Sequence, residues 1–235
     1  MLSARQLFAP AIAAAVFIPV VMLMSLAGSD ESRAAAPAVA AMHPEPAPIG
    51  VAASSDTAVF AGGCFWGVEA VFDHLKGVSS ATSGYAGGSA PSPSYDQVSS
   101  GTTGHAEAVQ VVYDPAQISY DQLLQIFFAV AHDPTQLNRQ GPDVGTQYRS
   151  AVFYRNTDQR QATESYIAKI RQARLYRGAV VTEVAPLRVF YPAEAYHQEY
   201  LVHHPTQPYI VVNDAPKLEH LRRQFPALYQ VRGAS

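Results

Sequence analysis

Residues 57–75, Thr-Ala-Val-Phe-Ala-Gly-Gly-Cys-Phe-Trp-Gly-Val-Glu-Ala-Val-Phe-Asp-His-Leu, change their hydrophobic period part-way along. Thr57–Ala61 is a short apolar run with the bulk of a buried strand. From Cys64 onward the apolar positions are Phe65, Val68, Val71, Phe72 and Leu75, which fall on one face of a helix. Gly62 and Gly63 stand between the two periods and permit a tight turn. A strand passing straight into a helix is the unit of layered proteins that pack helices on a sheet. The same turn places Cys64 at the helix start. There the unpaired N–H groups and the helix dipole favour negative charge, and so a thiolate.

Working outward, Gly77 ends the helix, Val78–Ser83 is expected as a second strand, and Gly84–Ser94 as a loop rich in Gly, Pro and Ser. Ala106–Tyr113 is a strand stopped by Asp114-Pro115. Ser119–His132 is the clearest amphipathic helix, capped by Ser119, with Leu123, Leu124, Ile126, Phe127, Phe128 and Val130 on its buried side. Asp133–Gly145 reads as a second polar loop. Ser150–Tyr154 follows as a strand, Thr157–Ala173 as a charged helix with Thr157 as its cap, Val180–Ala185 as the last strand, and Ala193–Val202 as a short helix. Strands interleaved with helices predict one α/β (α+β) sandwich over residues 56–212, with an ordinary charged segment over 213–235.

Ahead of that domain the composition differs. Arg5 precedes Leu7–Ala27, a run without charge that ends in small residues, so residues 1–27 read as an export signal or an N-terminal anchor. Residues 28–55 are rich in Ala, Pro and Ser and read as a linker. The domain is therefore expected outside the cytosol, in the periplasm, soluble or tethered by the N-terminal segment. All four methionines lie in residues 1–55, outside the expected domain.

The bulk numbers restrict the chemistry. With 48% hydrophobic and 15% charged residues the chain can fill a core, and a net charge of −3 offers no basic field for nucleic acid. Its single cysteine cannot form an internal disulfide or a zinc site built on several thiolates, and an unpaired thiol can equally be inert packing. The spacing of the eight histidines matches no common zinc site. His132 is the best-placed base for a Cys–His hydrolase, with nothing to show that it reaches Cys64. In Ala106–Tyr113 the alternate residues Glu107, Val109, Val111 and Tyr113 share one face, which puts a carboxylate among apolar neighbours. Burial there would raise its pKa and suit a general acid; a solvated strand-end carboxylate is the plainer reading. Phe65 and Trp66 could wall a small apolar group or simply fill the core. Tyr85 and Tyr148 sit in glycine-framed segments, where a hydroxyl could steady a developing oxyanion.

Gly62–Gly67 (GGCFWG), Gly84–Gly88 (GYAGG), Gly104–Val109 (GHAEAV), His132-Asp133-Pro134 and Gly145–Ser150 (GTQYRS) together resemble peptide methionine sulfoxide reductase, type A. The resemblance runs in order from about Val59 to about His204. It implies a ferredoxin-like mixed sheet with packed helices and no bound cofactor or metal. It also implies Cys64 as nucleophile, Phe65 and Trp66 as the pocket for the substrate methyl group, and Glu107 as proton donor. Tyr85 and Tyr148 would assist, and Asp143 would organise the pocket. The implied reaction reduces methionine-S-sulfoxide, free or in oxidised proteins, and leaves Cys64 as a sulfenic acid. Relatives that carry a resolving cysteine close a disulfide next. This chain has none, so it resembles a single-cysteine variant that needs an external thiol: thioredoxin-like, glutaredoxin-like or small. A monomer is the expected state.

Two other functions fit parts of this pattern. A one-cysteine peroxidase would also pass through a sulfenic acid but would consume peroxide, and proline, threonine and arginine do not flank Cys64 as that chemistry favours. A binding module for oxidised methionine would leave Cys64 merely packed, which Glu107 and the two tyrosines argue against.

Overall fold

The computed structural model of the protein describes residues 55–91 and 93–232. The targeting segment expected over 1–27 and nearly all of the linker lie outside the described residues. In chain order, β1 (Asp56–Gly62) turns through Gly63 and Cys64 into α1 (Phe65–Asp73), as the change of period requires. Then come β2 (Val78–Ala86), a short α2 (Tyr95–Ser99) and β3 (Ala106–Tyr113). α3 (Tyr120–Ile126) is capped by Ser119, whose hydroxyl accepts from the Gln122 N–H, and continues as a π-helical turn over Phe127–Ala131. A small ribbon, β4 (Arg139–Gln140) and β5 (Asp143–Val144), precedes β6 (Ser150–Tyr154) and α4 (Thr157–Gln172). β7 (Glu183–Pro186), β8 (Phe190–Pro192), α5 (Tyr200–His203) and α6 (Ala215–Gln224) follow.

The main sheet runs β7-β6-β1-β3-β2-β8, with β6 and β7 parallel and every other neighbouring pair antiparallel. It is a mixed sheet with helices packed on it, an α+β arrangement. One face carries Phe60, Tyr85, Val109, Val111 and Val152 and is covered by apolar residues of α1, α3 and α4. Phe60 stacks between Phe72 and Phe127 at 5.0 and 4.9 Å between ring centres. Truncating such a ring in a closed core costs about 3–5 kcal/mol. The other face is lined by smaller residues, Ala61, Ala86, Ala106, Ala108 and Ala151, around Val59 and Phe153. Glu107 and Tyr85 project from the helix-covered face, and that is what brings them to the start of α1.

Several boundaries differ from the sequence expectation, each for a tertiary reason. β2 runs on through Gly84-Tyr85-Ala86, because these residues pair with Ala108, Glu107 and Ala106 of β3. The cap of α4 is Asn156, not Thr157: Asn156 has the extended backbone of a cap and its side chain accepts from the Gln159 N–H at 2.9 Å. Val180 and Val181 stay out of the last expected strand. Their backbone groups are taken by the Arg171 side chain and the Pro134 carbonyl, so β7 starts at Glu183. The helix expected over Ala193–Val202 is broken at Glu199, whose φ is +52° and whose N–H donates to Glu69 Oε1 at 3.1 Å. A further edge strand, β8, was not expected. Within the charged C-terminal segment, α6 buries Leu221 in the main core.

Candidate active site

Gly63 makes the turn at φ +89°, a conformation that L side chains rarely adopt. A Cβ there would also meet the Gln140 side chain at 2.5 Å. Gln140 in turn grips the Asp133 backbone at both ends of its amide, accepting from the N–H and donating to the carbonyl, each at 3.1 Å. The turn and the β4–β5 ribbon are thereby locked together, and the ribbon carries Asp143. Cys64 occupies the N-cap of α1 and is 9% exposed.

The thiol does not rest as the thiolate that the helix start suggested. Burial pushes its pKa well above the ordinary value, and the carboxylates of Glu107 and Asp214 push the same way. The Trp66 N–H and the Lys217 ammonium pull it down without winning. The helix end is favourable, but desolvation of a nearly closed site outweighs it.

Glu107 lies on β3 directly opposite Tyr85 and is 2% exposed. Its Oε2 accepts the Phe65 N–H at 3.0 Å, which ties the carboxyl to the first turn of α1 beside Cys64. Burial, reinforced by Asp143 and Asp214, raises its pKa to about 8 against the pull of that hydrogen bond. It is therefore largely protonated at neutral pH. Tyr148, half-buried on a short turn over Thr146–Tyr148, is held in its phenol form chiefly by burial. Tyr85 is fully buried, and its hydroxyl donates to Glu194 Oε2 at 2.9 Å. Glu194 also accepts the Tyr95 N–H, at 2.9 Å. Asp143 Oδ2 accepts from the Tyr209 hydroxyl.

The two aromatic residues after Cys64 divide the work. Phe65 is buried among Tyr85 and His197, at 5.9 and 5.0 Å between ring centres. Trp66 is half-buried, stacks on Tyr200 at 3.7 Å, and donates its Nε1–H to His197 Nδ1 at 3.1 Å. The structure thus gathers Cys64, Phe65, Trp66, Tyr85, Glu107, Asp143 and Tyr148 around one end of α1. His132 is not part of the group's chemistry. Its ring is bonded to the Phe127 carbonyl and the Ser150 hydroxyl, and burial lowers its pKa to about 4.

Sequence reasoning missed His197, Glu194, Tyr209, Asp214 and Lys217. His197 belongs to a set of histidines whose spacing suggests no site, yet it is 1% exposed. The others come from segments far along the chain, and no local pattern marks them.

A buried thiol, a protonated carboxyl and an aromatic wall thus meet at one helix start on an α+β mixed sheet. Residues 56–228 match the family profile described as "Peptide methionine sulfoxide reductase". The "Peptide methionine sulfoxide reductase MsrA 2" of Mesorhizobium japonicum is 56% identical over 178 residues, 76% of this chain and 91% of that protein. The protein of the same description from Synechocystis sp. is 49% identical over 174 residues, 74% of this chain and 81% of its own length. Among solved structures, methionine sulfoxide reductase A of Corynebacterium diphtheriae superposes with a TM-score of 0.59 at 38% identity, covering 70% of this chain and 84% of that one. Reduced Mxr1 from Saccharomyces cerevisiae does so with a TM-score of 0.61 at 35% identity, over 65% and 87%. The chain belongs to the peptide methionine sulfoxide reductase family. It is an oxidoreductase that reduces methionine sulfoxide by cysteine chemistry.

Proposed function

We propose that Cys64 is the nucleophile, that Glu107 donates the proton, and that an external thiol completes the cycle on methionine-S-sulfoxide, free or within oxidised proteins. The carrying observation is the Phe65 N–H to Glu107 Oε2 bond, which fixes a raised-pKa carboxyl beside the sole cysteine. The Cys64 sulfur attacks the electrophilic sulfoxide sulfur while Glu107 protonates the oxygen, with the Tyr148 hydroxyl steadying it as charge develops. The attack joins the two sulfurs; the substrate S–O bond and this S–S bond then break as the hydroxyl passes to the Cys64 sulfur, so that methionine leaves reduced by two electrons and Cys64, oxidised by two, is a sulfenic acid. Trp66 walls the methyl-binding pocket on the stack it makes with Tyr200, and Phe65 backs it from the core. Asp143 holds Tyr209, whose ring meets Trp66 edge-on at 6.0 Å between ring centres, and Tyr85 is held by Glu194.

With no second cysteine in the sequence, the sulfenic acid must be attacked by a thiol from outside. Water leaves and a mixed disulfide forms, which a second thiol reduces. A thioredoxin-like or glutaredoxin-like dithiol and small thiols are the candidates. We further propose export to the periplasm directed by residues 1–27, on the strength of Arg5 and the uncharged run Leu7–Ala27. Fractionation of expressing cells tests that: activity in the periplasmic or membrane fraction is expected, and activity confined to the cytosol contradicts it.

One assay tests the catalytic reading: consumption of each sulfoxide epimer with each class of thiol donor. The S epimer alone should be consumed, at a rate set by the thiol supplied. Equal consumption of both epimers, or consumption of peroxide in place of sulfoxide, contradicts it.

A further inference from the structure

The turn that carries Cys64 is pressed from the C-terminal side by an ion pair that the mechanism above leaves unused. Asp214 closes a π-helical turn over Ile210–Asp214, and Lys217 lies near the start of α6. Lys217 Nζ is 3.1 Å from Asp214 Oδ1; the Asp214 side chain is fully buried and that of Lys217 is 19% exposed. Both bear on Gly67. A Cβ at that position would meet Asp214 Oδ1 at 2.1 Å and Lys217 Nζ at 2.7 Å. Only a residue without a side chain lets the pair come so close. Gly67 is the third residue of α1, and a side chain at the N-cap, here Cys64, projects over that same first turn.

The pair is poorly built as a structural clamp. Asp214 Oδ2 is buried and accepts no hydrogen bond from the described residues, so half of the carboxylate is left unsatisfied. A buried ion pair with incomplete hydrogen bonding gains little stability against its desolvation cost. Its position beside the nucleophile gives it a different use. We propose that Asp214 and Lys217 are positioning residues for Cys64, Lys217 supplying the cation and Asp214 the anion that together set the charge field at the thiol.

The proposal rests on Cys64 being the nucleophile. The titratable groups facing the thiol are Glu107 from β3, Tyr95 from α2, Tyr148 ahead of β6, Tyr209 and the pair itself, with Asp143 behind Tyr209. Lys217 is the one cation in that set. Glu107 and Asp214 disfavour the thiolate, and Lys217 favours it. Asp214 also acts on Glu107 and helps to keep it protonated. Removing Lys217 and removing the Asp214 charge should therefore have opposite effects on the same sulfur.

Iodoacetamide reacts with the thiolate, and with one cysteine in the chain the adduct mass is unambiguous. Its rate with Cys64 is measured near pH 8 in thiol-free buffer, with sulfoxide turnover followed on the same samples. Lys217→Met should slow labelling by about fivefold or more, since one pKa unit is worth tenfold in thiolate at a pH below the pKa. Asp214→Asn should speed it by a similar factor, and Lys217→Arg should stay close to the parent. Should Lys217→Met fail to fold, Lys217→Gln carries the same expectation, with the emission of the sole tryptophan, Trp66, as the check on folding. A pair that only ties α6 to α1 would shift both rates the same way, through exposure, or shift neither. Either result overturns the proposal. Labelled protein that still turns over refutes Cys64 as nucleophile, whereas labelled protein that is inactive with same-sign shifts refutes only the role of the pair.

Discussion

Glu69 on α1 and Glu107 on β3 are both almost wholly buried, and burial raises the pKa of both to about 8. They differ in what their oxygens do. Glu69 accepts the Ser83 hydroxyl on Oε2 at 2.9 Å and the Glu199 N–H on Oε1 at 3.1 Å, so both oxygens are spent on joining α1 to β2 and to the segment before α5. Glu107 accepts one N–H on Oε2, and Oε1 makes no hydrogen bond among the described residues. A perturbed carboxyl is therefore not by itself a catalytic one. The lone pair left over, next to a nucleophile, is what separates a proton donor from a rivet.

That contrast is open to direct attack. The largest expected effect is at Glu107. Glu107→Gln should lower turnover by roughly 10²–10⁴-fold, the range for losing a general acid, while the fold survives. The matched Glu69→Gln should leave turnover within about threefold, because its carboxyl serves the scaffold and the amide keeps most of its bonds. Comparable losses in the two variants would erase the distinction.

The next effect concerns pH and activity. The reactive form needs Cys64 deprotonated and Glu107 protonated, so the pair must share one proton. That form fills only after the doubly protonated site has lost its first proton, and Glu107 gives up a proton at about 8. The expected profile of kcat/KM climbs as pH rises through about 8. A profile already flat from neutrality upward contradicts the assignment.

The smallest effect is on stability. Both glutamates have folded pKa values of about 8 against an ordinary 4.5, so the folded state binds protons more tightly than the unfolded one between those limits. Stability from these two groups is full below about pH 4.5 and is lost as pH rises through about 8. Glu69→Gln removes one of them and should recover roughly 1–2 kcal/mol at the alkaline end relative to the parent. Thermal melts of both proteins across that window check it, with a pH slope unchanged in the variant as the contrary result.

The contrast also shows what could be seen before the fold was known. The β1–α1 turn was legible because the apolar period changes from that of a strand to that of a helix within a few residues. Glu107 was legible as a candidate because it alternates with Val109, Val111 and Tyr113, although the pattern alone left a solvated strand end open until the fold buried it. Tyr85 was misplaced into a loop, since Gly84 reads as punctuation until β3 is there to pair with it. Glu69 drew no attention, because its partners Ser83 and Glu199 lie on other elements. Asp143 was reached only through the family resemblance, and its partner Tyr209 is 66 residues further on. The protonation of Cys64 was misread for the same reason. The helix start is a local feature, but it is outweighed by burial and by the carboxylates of Glu107 on β3 and Asp214 ahead of α6, which lie far from Cys64 along the chain.

The most direct test of the account is the stoichiometry of a single turnover without reductant. The protein is mixed with excess methionine-S-sulfoxide in thiol-free buffer, free methionine is counted, and Cys64 is examined by mass spectrometry. One methionine per chain, with Cys64 heavier by one oxygen, is the expected result. Continued turnover with no oxidised Cys64, or unchanged activity in Cys64→Ser, would contradict it.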